Sequence, residues 1–336
     1  MKRFHLFNGR WTRLSLLSVV AGALATVASL AAPSYAAVVS FGSGANQFNM
    51  EFVTIGNPNN AADTTGAPNP AGAVGYEYGI GKFEVSEDMI NKFNASQSLQ
   101  ITKDTRGTNK PATSVSWNEA ARFVNWLNTS TGGFDAYKFT TSGVNDDIAL
   151  WTTADTLDYD SANPYRSKRA TYVLPSYNEW YKAAYYDPSN STYYDYTTGS
   201  NTAPTAVASG TGAGTAVYNG QSGPADVTQA GGLSPYGVMG LGGNVREWEE
   251  SSQNLANSSV SYSRGIRGGY WFSISNGLSS STRDVSGLPR FGNADLGFRV
   301  ASLSSDAPPP VPEPSMMVIG MVFGLGGLAA KRRLKK

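Results

Sequence analysis

Ser114-Val-Ser-Trp-Asn-Glu-Ala-Ala-Arg-Phe-Val-Asn-Trp126 encodes the start of a helix in its own side chains. Ser116 and Glu119 have the spacing of a capping box, in which the serine hydroxyl accepts from the N3 amide and the glutamate reaches back to the N-cap amide. Trp117, Ala120, Val124 and Leu127 then recur on one face, an apolar stripe that asks for a core. The device returns in Leu174-Pro-Ser-Tyr-Asn-Glu-Trp-Tyr-Lys-Ala-Ala184, where Ser176 and Glu179 open a second helix that buries Trp180, Ala183 and Ala184. Both glutamates read as caps rather than catalytic groups.

Working outward, residues 38–53 alternate loosely and run into Gly56-Asn-Pro-Asn-Asn60, a strand followed by a turn. Residues 57–73 read as a loop and residues 76–85 as a strand. Ser86 caps a short helix that turns Met89, Ile90 and Phe93 inward. Residues 186–232 are low in charge and rich in Ser, Thr, Asn, Gly and Tyr, which predicts loops and short strands. Strong helices among short strands and long loops define an α+β class.

The ends carry a different signal. Lys2, Arg3, Arg10 and Arg13 precede an apolar run over residues 14–31, and Ser34 and Ala36 place small residues at −3 and −1. Residues 1–36 therefore read as a secretory signal peptide, with an uncleaved anchor as the alternative. A Pro-rich linker, residues 306–314, ends in Pro312-Glu313-Pro314. Residues 315–330 form an apolar segment, about 24 Å long as a helix, and residues 331–336 a basic end that would stay cytoplasmic. Nine of the 26 basic residues and two of the 25 acidic residues lie in these ends, leaving 17 against 23 between them, a net of −6. Such an acidic body argues against nucleic acid as a partner.

The chain has no cysteine, and its one histidine is His5, inside the leader. A thiolate nucleophile, an imidazole base and Cys/His metal ligands are all missing from residues 37–305. The domain also lacks disulfides, so aromatic and aliphatic packing must supply its core.

Six motifs occur in a fixed order: Tyr78-Gly-Ile-Gly-Lys-Phe-Glu-Val85, the two helix starts quoted above, Gly243-Asn-Val-Arg-Glu-Trp248, Arg267-Gly-Gly-Tyr-Trp271 and Leu296-Gly-Phe-Arg-Val-Ala301. Together they resemble the formylglycine-generating enzyme/sulfatase-modifying factor domain, a variant of the C-type lectin-like fold, over residues 37–305. The tail resembles the PEP-CTERM sorting signal of Gram-negative bacteria, with an ordinary tail anchor as the alternative. That resemblance implies export, handling by exosortase-type machinery, anchoring in the inner membrane and delivery to the cell surface or extracellular matrix.

The family's enzymes oxidise a substrate cysteine through a copper-binding cysteine pair, and a sister branch uses histidine-ligated iron. By resemblance the thiols would fall near Ser273 and Leu278, neither of which is a thiol, so neither copper nor iron is expected. The family also implies a calcium site at Gly243, Val245 and Glu247, where oxygen ligands would suit a hard cation. Gly240 stands where the family usually has Asn or Asp. The competing reading pairs Glu247 with a buried arginine such as Arg299.

Other chemistry is thinner. Gly79-Ile-Gly81 and Gly240-Leu-Gly-Gly243 lack the spacing of a phosphate loop. Glu247, Glu249 and Glu250 cluster, and paired carboxylates hydrolyse glycosides in other proteins. Ser273 has no recognisable activator. Residues 270–290 and their flank read as a binding surface, with Trp271, Phe272, Asn276, Arg283, Arg290 and Phe291 mixing rigid aromatics with adaptable polar groups. Core packing and salt bridges are the alternative for these residues. The sequence thus points to an exported, non-catalytic module binding a polysaccharide or surface protein. An enzyme using oxygen-ligated metal or carboxylates on the same scaffold is the alternative.

Overall fold

A computed structural model describes residues 36–303. The leader apart from Ala36, the linker and the apolar tail read from the sequence lie outside the described residues. No described helix is long and apolar enough to cross a membrane.

The chain opens with a hairpin, β1 (Ala36–Phe41) and β2 (Phe48–Ile55), paired from Ala36 opposite Val53 to Phe41 opposite Phe48. The single strand expected over residues 38–53 is therefore two. Gly42 turns the chain with φ +74°, and a Cβ there would lie 2.4 Å from the Asn46 carbonyl oxygen. Glycine alone meets both demands.

After the loop expected at residues 57–73 come β3 (Tyr78–Gly81), α1 (Glu87–Ser96) and α2 (Trp117–Ser130). The strand expected over residues 76–85 is shorter because the Val85 amide leaves the β2 ladder and bonds to the Phe298 carbonyl. Ser86 caps α1 by accepting from the Met89 amide, and Ile90 and Phe93 are buried.

Then follow β4 (Tyr172–Val173), α3 (Tyr177–Tyr185), β5 (Tyr186–Asp187), β6 (Thr192–Tyr193), β7 (Thr205–Ala206) and β8 (Thr215–Ala216). The last elements are β9 (Arg246–Ser252), β10 (Arg264–Arg267), β11 (Asp284–Gly287), β12 (Leu296–Gly297) and β13 (Ala301–Leu303). Both capping boxes are present, Ser116 with Glu119 on α2 and Ser176 with Glu179 on α3.

Two sheets organise the body. The first runs β1-β2-β3-β13-β4, antiparallel throughout, and the second runs β11-β10-β9-β12 with only β9 and β12 parallel. Strand alternation sends Met50 and Phe52 to one face of the first sheet and Val53 and Ile55 to the other. The Phe52 face packs with α2 through Trp117, Phe123, Val124 and Leu127, and the Ile55 face packs with α3 through Trp180, Tyr181 and Tyr185. Each such side chain contributes about 1.5–3 kcal/mol when fully buried. The class is α+β and loop-rich, as the sequence predicted.

Candidate functional site

Strand β9, Arg246-Glu-Trp-Glu-Glu-Ser-Ser, gathers most of the chemistry, and its three glutamates are fully buried. Burying a carboxylate is costly unless a charge and hydrogen bonds compensate it. Each of the three meets an arginine.

Glu247 accepts from Arg299 at both oxygens, Nε to Oε2 at 2.6 Å and Nη2 to Oε1 at 2.5 Å, and Trp180 Nε1 adds a third bond at 2.7 Å. Arg299 also donates to the carbonyls of Gly81 and Met239. Burial works against the Arg299 charge, but Glu247 outweighs it and holds the guanidinium above its usual range. Glu249 lies between Arg267 and Arg283, at 2.5 and 2.8 Å. Glu250 shares Arg166 with Glu179 and also accepts from Tyr137 and Asn163. The carboxylate cluster that suggested glycoside chemistry is a set of closed ion pairs.

Of the three calcium ligands expected, Glu247 is thus engaged by a guanidinium and an indole. A cation there would have to share the Glu247 carboxylate with Arg299. Gly240 adopts φ +77°, and a Cβ there would lie 2.4 Å from Glu84 Oε1. The Glu84 carboxyl therefore fills the space that a side chain at 240 would need. Its Oε1 accepts from Asn244 at 2.8 Å, and its Oε2 is buried with no partner among the described residues. Burial pushes Glu84 up to about 7, with Arg299 opposing and Glu247 adding to the shift.

The positions mapped to thiols have other tasks. Ser273 Oγ accepts from the Tyr270 amide at 3.0 Å, which closes a local turn. Leu278 is buried against Ala216 and Tyr218, and its carbonyl accepts from the Tyr185 hydroxyl.

The proposed binding surface divides. Phe272 is 63% exposed and Phe291 64%, and Asn276 is exposed as well. Trp271 is half-buried; Tyr270 meets it edge-on at 5.4 Å and the Arg106 guanidinium stacks 5.1 Å away. Arg106 also donates to the Ala294 carbonyl, which ties Trp271 to the turn carrying Phe291. Arg290 is exposed and pairs with Asp147 at 2.6 Å. Arg283 is the exception. Its side chain is buried, donating to the Glu249 oxygen that Arg267 does not engage and to the Ser252 carbonyl. Sequence reading missed Ile274, 66% exposed, and Leu288, 50% exposed; Ile274 alternates with Phe272 and could have been found from that spacing, whereas Leu288 has no such signal.

Comparison with known proteins agrees with this architecture. Treponema denticola variable protein 1 is 19% identical, matching 80% of this chain and 98% of its own with a TM-score of 0.54. A second solved structure, CarF, is 18% identical, matching 75% of this chain and 98% of its own with a TM-score of 0.53. At such identities the likeness speaks for the fold. No curated protein sequence matches the chain. The model of the sulfatase-modifying factor enzyme 1-like domain matches residues 37–303, and the chain belongs to that formylglycine-generating-enzyme family.

Proposed function

We propose that this protein is an exported, non-catalytic member of its family, a binding module of the cell envelope or extracellular matrix that recognises a polysaccharide or another surface protein. The observation that carries the reading is the state of the two positions mapped to thiols. Ser273 is committed to a turn and Leu278 to the core, while Trp271, Phe272, Ile274 and Phe291 lie exposed or half-exposed around them in the chain. Rigid aromatics with one open side are efficient contact surfaces because little side-chain entropy is lost on binding.

In this proposal residues 1–36 direct export, and residues 306–336 anchor the chain in the inner membrane until exosortase-type machinery passes it to the surface. The module uses neither copper nor iron. Calcium at Gly243, Val245 and Glu247, implied by the family, would compete with Arg299 for the Glu247 carboxylate. The alternative enzyme, using oxygen-ligated metal or carboxylates, would rest on Glu84, whose Oε2 is uncommitted.

Glycan arrays and pull-downs with the folded protein test the binding role, with Phe272→Ser as the control expected to lose the signal. Blank results with the wild-type surface overturn it. Metal analysis of the purified protein tests the non-catalytic reading, and stoichiometric copper or iron would overturn that.

A further inference from the structure

Tyr270 and Trp271 share one construction. The Arg106 guanidinium stacks 5.1 Å from the Trp271 ring, and the Arg246 guanidinium stacks 5.6 Å from the Tyr270 ring. Each arginine is in turn paired with acid: Arg106 with Asp104 at 2.8 Å, and Arg246 with Asp284 at 3.2 Å and Asp295 at 2.8 Å. The two rings meet edge-on, so ring, guanidinium and carboxylate form two adjoining stacks. All of these side chains are partly exposed, and Asp284, at 37%, is the most open of the carboxylates. The backbone beneath is fixed. The Trp271 amide donates to the Asn244 carbonyl, and the Trp271 carbonyl accepts from the Gln221 amide. The Arg106 amide donates to the buried Glu87 carboxylate at 2.7 Å. Little is left to be ordered when a ligand arrives at this corner.

Charge narrows what can bind. Three carboxylates against two guanidiniums leave the corner at −1, on a body that is itself acidic. A polyuronate or sulfated chain is repelled by such a field. A protein anchor would have to desolvate the paired charges, which is costly, and the cores of protein interfaces are depleted in charge for that reason. Sugar hydroxyls both donate and accept, so a pyranose can bridge a carboxylate and a guanidinium without breaking their pairing. Phe272, next in the chain and exposed, supplies an open aromatic surface for the apolar C–H side of the same sugar. We propose that the Tyr270–Trp271 corner is a glycan subsite selective for a neutral sugar chain, one without carboxylate, sulfate or phosphate. This rests on the binding role proposed above and names its ligand class.

The full-length chain in detergent micelles tests the proposal on an array. Neutral oligosaccharides of glucose, mannose, galactose and N-acetylglucosamine are set beside oligomers of alginate and heparin, with a pull-down for protein partners in parallel. Signal should be confined to neutral chains and change less than about twofold between roughly 0.05 and 0.5 M NaCl, because no net charge is paired on binding. Trp271→Ala should weaken the best probe at least about tenfold. Asp284→Asn keeps the shape of the side chain and an oxygen for the Ser286 amide, and should weaken binding about threefold or more with an unchanged Tm. Preference for the acidic chains, or wild-type affinity in both variants, overturns the subsite. A protein partner captured while every glycan stays blank also overturns it, but leaves the binding role standing. Blank glycans and an empty pull-down together overturn the binding role itself.

Discussion

At the head of α2, Glu119 accepts from the amides of Ser116 and Thr102, and its partners are main-chain groups close by. At the head of α3, Glu179 accepts from the Ser176 amide and then from both terminal nitrogens of Arg166 and from the Tyr76 hydroxyl. One local signature thus has two fates. The difference lies in what each helix packs against. The inward face of α2 meets aromatic and aliphatic groups, whereas α3 lies where Arg166 must neutralise Glu179 and Glu250 together. Burial alone would raise Glu179, but the Arg166 charge together with hydrogen bonds from Arg166, Tyr76 and the Ser176 amide more than reverses this and holds it below the usual carboxylate range. A capping box starts a helix; tertiary charge decides how much depends on it.

The largest break in this comparison should come from Arg166→Met, which strands two buried carboxylates. Denaturant unfolding should show a loss of about 3–5 kcal/mol, and a loss under 1 kcal/mol would refute the shared-cation account. The second test uses Lys182, on the same helix, whose side chain is buried and donates to the Asn57 carbonyl. Burial lowers it to about 7, with Glu77 opposing. Between about 7 and 10.5 the unfolded chain keeps a proton that the folded one has released. Stability should therefore rise with pH across that window by up to about 1.4 kcal/mol per unit and stay level below it. Lys182→Met should flatten the profile; an unchanged slope assigns it to another group.

The cap glutamates sharpen the contrast at lower amplitude. Glu119→Gln should cost about 1 kcal/mol, and Glu179→Gln about 2–3 kcal/mol because a charged partner is lost. Equal costs would show that Arg166 adds nothing beyond the cap. The smallest expected effect on stability is Phe272→Ser, within about 0.5 kcal/mol as for an exposed position, with loss of ligand binding as its only visible consequence.

The elements most legible in the sequence are those with local causes. Ser116, Ser176 and Ser86 mark helix starts because a cap is satisfied within three residues. The hairpin was not read, because loose alternation on both sides of Gly42-Ser43-Gly44 concealed the turn. The motif order pointed to the family and to Ser273 and Leu278. The arginine partners were harder: Arg166 stands 84 positions from Glu250 and 13 from Glu179. Arg283 looked like a surface residue for the same reason, since nothing within its own segment reveals that Glu249 is waiting for it. Only Arg299 against Glu247 was foreseen, as one of two readings.

The two strands at which the described residues begin and end differ in place within the five-stranded sheet. β1 is an edge strand joined to β2 alone, whereas β13 lies between β3 and β4 and is bonded to both. Tension entering through Ala36 would peel one ladder pair by pair, a low-force unzipping. Tension entering through Leu303 must slide a strand out from between two neighbours, loading both ladders together. A load borne through residues beyond Leu303 therefore meets two ladders at once, whereas one entering at Ala36 meets a single ladder.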